Sequence, residues 1–140
     1  MSNFKTLKEI CEKHYDKYIY DCSGFLKAVA KDVGISLSGQ ANGIIDQMAK
    51  SPWTSHGHDA KAAIQAAGQR KLVVAGLKAT PNGHVAIIMP TASSPYATAY
   101  WGSIGKHPGR NKTLNWSWGK TDLPKVKYFS CPIPSPIAIR

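Results

Sequence analysis

Apolar residues recur at spacings of three and four as far as residue 67, and only beyond it do β-branched runs take over. This division constrains the fold more than any single motif does. Helical periodicity marks residues 4–18 through Phe4, Leu7, Ile10, Cys11, His14 and Tyr18, then residues 22–33, which Gly34 closes. A third helix is expected over 41–48, stopped by Ser51-Pro52, and a fourth over 60–67, opened by Asp59 and closed by Gly68. Strand signals follow at Leu72 to Leu77, from Val85 onward, at Ala97 to Gly102, at the alternating Trp116 and Trp118, and at Lys125 to Cys131. The polar stretch Gly105 to Lys112 reads as a mobile loop, and the proline-rich tail from Pro132 joins no sheet interior. Helices first and strands later indicate an α+β fold with helices on one side of an antiparallel sheet, in one domain spanning residues 1–140.

Composition narrows the function classes. With 43% hydrophobic and 19% charged residues the chain should fold as a globule, and no apolar run approaches the roughly 20 residues that cross a bilayer. Met1-Ser2-Asn3-Phe4-Lys5 begins no signal peptide, so work outside the cytoplasm would need another carrier. Eighteen Lys and Arg against eight Asp and Glu give +10, which favours an anionic partner: nucleic acid, an anionic envelope polymer or an acidic protein inhibitor. The basic residues are scattered, which argues against a nucleic-acid arm. His56, His58 and His107 with Asp59 follow no zinc spacing, so neither a metal nor another cofactor is expected.

Two short stretches carry chemistry. In Asp21-Cys22-Ser23-Gly24-Phe25 the cysteine falls in the first turn of a helix, where unpaired amides and the positive end of the dipole favour the thiolate. The plainer alternative is a buried, inert thiol. In Asn82-Gly83-His84-Val85-Ala86-Ile87-Ile88-Met89, the turn Thr80-Pro81-Asn82-Gly83 makes a hairpin with His84 at the mouth of its second strand. Apolar residues on both faces of that strand imply burial on both sides. A histidine held there is a candidate base for the cysteine, although taken alone the plainer reading is an ordinary hydrogen-bonded histidine at a strand terminus. With Cys22 assigned as nucleophile, Cys11 and Cys131 are left either as a disulfide closing a loop of about 120 residues or as two buried thiols.

Cysteine at a helix start followed by histidine at a strand start resembles the papain-like thiol hydrolases of the NlpC/P60 type. Gly39-Gln40-Ala41-Asn42, Ala60 to Gly68, Val73 to Lys78 and Trp101-Gly102-Ser103-Ile104 are similar to the first family of type VI secretion amidase effectors. The likeness runs from Cys11 to Ile104, with a weaker echo at Tyr128 to Cys131.

This resemblance implies an NlpC/P60-type fold, N-terminal helices packed on an antiparallel sheet, and a peptidoglycan amidase cutting between γ-D-glutamate and meso-diaminopimelate. Cys22 and His84 would be its catalytic pair, and Asp21, Ser23, Asn42 and Ser103 candidates for substrate contact. The family implies delivery by a type VI apparatus, action in the periplasm of a rival cell, a cognate immunity protein, a monomer, and neither nucleic-acid binding nor membrane insertion. Trp101 stands where the wider superfamily offers a polar side chain, and it accepts no hydrogen bond from imidazole, so the third group of the triad is unassigned. Two other readings remain at this stage: a basic nucleic-acid-directed toxin, and a catalytically inactive cell-wall-binding module.

Overall fold

Local capping sets the helix boundaries. In a computed structural model describing residues 5–93, 95–103 and 107–137, Thr6 and Glu9 form a reciprocal capping box at the start of α1 (Leu7–Tyr15). Asp21 caps α2 (Cys22–Asp32), Gln40 precedes α3 (Ala41–Met48), and Asp59 accepts from the Ala62 amide to open α4 (Ala60–Ala67). Phe4 and Ile104 to Lys106, which entered the sequence readings, lie outside the described residues, as does the tail beyond 137.

The strands are β1 (Thr54–Ser55), β2 (Lys71–Leu77), β3 (His84–Ser93), β4 (Tyr96–Trp101), β5 (Gly109–Thr113) and β6 (Lys127–Pro132), in sheet order β1-β6-β2-β3-β4-β5. Every recorded pairing is antiparallel. The expected hairpin is present, with Leu77 opposite His84. Because side chains alternate across a strand, Val85, Ile87 and Met89 enter one core and Ala86 and Ile88 the other. β3 is therefore buried on both faces, as its continuous apolar run predicts.

The α+β class holds, and α1, α2 and α3 pack on the first face as expected. The expectation that all helices share one side does not hold. Ala63 and Ala66 bring α4 against the opposite face, beside Ala75, Ala86 and Ile88. Small side chains on both surfaces let that short helix sit close to the sheet. Trp116 and Trp118 do not belong to a strand: a 3-10 turn covers Leu114–Trp116, and Trp118 folds back over the second face, its amide donating to the Leu114 carbonyl at 3.0 Å. The stretch read as a mobile loop contains β5, a polar edge strand. Arg110 on β5 pairs with Glu12 of α1 at 2.8 Å, and the buried Tyr100 hydroxyl donates to the same carboxylate. No described helix is long and apolar enough to cross a membrane.

Candidate active site

The segment leading to Cys22 is fixed from above and below. Asp21 Oδ1 accepts from the Gly24 amide at 2.9 Å, which makes Cys22 the first helical residue. Beneath it, Gly102 follows β4 so closely that a Cβ there would lie 2.1 Å from the Tyr18 carbonyl oxygen and 2.8 Å from that of Asp21. The next amide, Ser103 N–H, donates to the Ile19 carbonyl at 3.0 Å. The end of the sheet thus carries the turn that presents the thiol.

Cys22 is 6% exposed. Backbone N–H groups of Val85, Ser23 and Cys22 itself lie against its sulfur and favour the charged form, while burial and the charge of Asp21 oppose it. Burial is the largest influence, and the thiol is pushed above its ordinary range. This corrects the expectation that the helix start favours a resting thiolate. The amide donors are in place, but the dry surroundings outweigh them.

Val85, the chain neighbour of His84, is among the backbone groups that favour the charged form of the Cys22 thiol. Burial alone lowers the His84 pKa to about 4. Its ring packs against the indole of Trp118 in a T-shaped arrangement, with centroids 5.0 Å apart and planes at 66°. Among the described residues, histidine ring hydrogen bonds are made by His14, His56 and His58, and His84 makes none. At neutral pH the site therefore holds a neutral thiol and a neutral imidazole.

A narrow cleft of about 40 Å³ opens at Cys22. Asp21 to Ser23 form one wall, Gln40 to Asn42 a second, and Pro81 to Gly83 a third. Three of the four substrate-contact candidates, Asp21, Ser23 and Asn42, thus share the cleft with the thiol, while Ser103 lies outside it, against the turn below. Ser23 Oγ lies 3.1 Å from Asp21 Oδ1 and 3.0 Å from Gln40 Oε1. Asn42 Nδ2 donates to the Ala79 carbonyl at 2.8 Å and its Oδ1 accepts from the Ala79 amide, so α3 grips the hairpin that carries His84. Gln40 was missed by the sequence reading. A polar residue before a helix reads as a cap, and only its contact with Ser23, 17 positions earlier, places it in the cleft. Hollows of about 220 and 410 Å³ lie elsewhere and do not reach Cys22.

Cys11 and Cys131 are both buried on the first face, and both are free. The alternative of a Cys11–Cys131 disulfide is not formed in this structure. The Cys131 thiol instead donates to the Pro132 carbonyl at 3.6 Å. His56 is half-buried and hydrogen-bonds the buried Ser130 hydroxyl at 2.8 Å.

Peptidoglycan amidase Tse1 of Pseudomonas aeruginosa is 35% identical to this chain over 125 residues, which cover 81% of this chain and 80% of the relative. The chain belongs to the Tse1 family of type VI amidase effectors. No family model matches it. The aligned length is too great to be confined to the Cys22 and His84 motifs, and it accords with an α+β architecture in which the start of α2 and the turn into β3 line one cleft.

Proposed function

We propose that the protein is a cysteine amidase of peptidoglycan that cuts the γ-D-glutamyl–meso-diaminopimelate bond of cell-wall peptides. The observation that carries this reading is the cleft at Cys22, one wall of which is Pro81 to Gly83, the turn that leads directly into His84 at the mouth of β3. A member of this family is a peptidoglycan amidase. In this reading one domain over residues 1–140 acts as a monomer in the periplasm of the target cell, reached through a type VI apparatus and restrained in the producer by an immunity protein. A charge of +10 suits an anionic envelope.

The neutral pair dictates the order of proton transfer. As the substrate carbonyl reaches the sulfur, His84 takes the thiol proton and the sulfur forms its bond to carbon. The amides of Cys22 and Ser23 stabilise the charge developing on oxygen, each such donor contributing about 3 kcal/mol. His84 returns the proton to the departing amine, leaving a thioester on the glutamyl side. Water, deprotonated by the same imidazole, then releases the acid. The cleft admits a carbonyl and its near neighbours, so the rest of the peptide lies along its rim.

Purified peptidoglycan treated with wild type should yield new amino groups on the stem peptide, whereas Cys22→Ala and His84→Gln should yield none. Release that survives Cys22→Ala refutes the nucleophile assignment. Binding without release by wild type makes the protein a wall-binding module.

A further inference from the structure

Strand alternation puts His84 on the same side of β3 as Ala86 and Ile88, the second face. Cys22 arrives from the first face with α2. To act on the sulfur the imidazole would have to reach round the end of the sheet, and whatever stands behind it on the second face would decide whether it stays there. That group is Trp118. Trp118 is 6% exposed, is packed into the second core with Leu114 and Val126, and its indole meets the imidazole with centroids 5.0 Å apart and planes at 66°. An aromatic pair in this geometry holds orientation as well as area.

We infer that Trp118 is a positioning residue for His84: the indole blocks the imidazole from retreating into the second core and holds it directed to the Cys22 sulfur. No described residue performs this task by hydrogen bonding. Packing against the indole also excludes water from part of the ring, which favours the neutral base. The inference rests on the cysteine amidase reading, and it assigns a function to a tryptophan some thirty residues beyond the hairpin in the chain.

The test compares Trp118→Phe, which keeps an aromatic edge, with Trp118→Leu, which keeps apolar bulk, and includes Cys22→Ala as control. Trp118→Leu should lower kcat at least tenfold with KM within twofold, and the acidic limb of kcat/KM should move from about pH 4 toward 6.5 as water reaches the ring. Trp118→Phe should stay within about threefold of wild type. A second readout needs no activity: in the Cys22→Ala background, the NMR titration midpoint of His84 should rise with Trp118→Leu and much less with Trp118→Phe. Wild-type kcat and an unmoved His84 titration in Trp118→Leu overturn the inference while leaving the nucleophile reading intact. Equal losses in both variants that track only their melting temperatures also overturn it. Should Trp118→Leu fail to fold, Trp118→Phe decides: a tenfold loss of kcat with an unchanged His84 midpoint refutes the positioning role. Activity persisting in Cys22→Ala refutes the amidase reading itself.

Discussion

Asn42 clasps Ala79 through both backbone groups, donating to its carbonyl at 2.8 Å and accepting from its amide at 3.2 Å. These bonds hold the loop between β2 and β3 against α3, and so fix how far His84 stands from α2.

Replacing that side chain should loosen the hairpin. Asn42→Ala removes two hydrogen bonds and is expected to cost about 1–2 kcal/mol, read as a lower urea midpoint at unchanged slope. Activity should fall more than stability at the assay temperature, because the proposed base, His84, loses its anchorage. Wild-type stability together with wild-type turnover would show that the clasp carries no strain from the site.

Gly102 offers a steric test of the turn beneath Cys22. An added Cβ would meet the Tyr18 oxygen at 2.1 Å, and backbone is costly to displace. Gly102→Ala should destabilise by about 1–3 kcal/mol, the range of overpacked cores, and should shift the amide NMR signals of Asp21 and Cys22. An unshifted spectrum would mean that the sheet end does not support the turn that presents Cys22.

Burial of His84 has a signed consequence for stability. The folded pKa of about 4 lies below the ordinary 6.5, so between those values the unfolded chain binds a proton that the folded chain refuses. Stability is fully present above about 6.5, declines as pH falls toward about 4, and levels off below it. The loss is up to about 3 kcal/mol. His84→Gln should lack this component, so the wild-type advantage measured by denaturation should shrink from pH 7 to pH 4. A constant difference across that window would show that the fold does not depress the His84 pKa.

Ser117 Oγ is the one buried side-chain polar atom without a partner among the described residues. Removing an unpaired buried hydroxyl lifts a desolvation cost of about 1 kcal/mol or more. Ser117→Ala should leave the melting temperature unchanged or raise it, and leave turnover unaltered. A clear loss of stability would reveal a hydrogen bond to this hydroxyl.

What could be read from sequence tracks how local each determinant is. The bounds of α3 and α4 were legible because caps and breakers such as Asp59, Gly68 and Pro52 act within a few residues. The β2–β3 hairpin was legible for the same reason, and a buried strand announces itself through residues like Ile87 and Ile88. β5 was not, because an edge strand built from Arg110, Asn111 and Lys112 carries no apolar alternation. Trp118 was misread because alternation with Trp116 also fits a turn that folds back. The side of the sheet taken by α4, the contact of Gln40 with Ser23 and the net upward push on the Cys22 thiol are decided by partners distant in sequence, and no local pattern encodes them.

β6 lies between β1 and β2 although it follows every other strand in the chain. A growing polypeptide would deliver both the thiol and the imidazole to the ribosome exit well before the strand that closes the sheet. Until residue 127 emerges, β2 keeps an open edge and β1 has nothing to pair with. Competence therefore arrives late in synthesis, and a product clipped ahead of β6 offers a sticky strand border instead of a finished cleft.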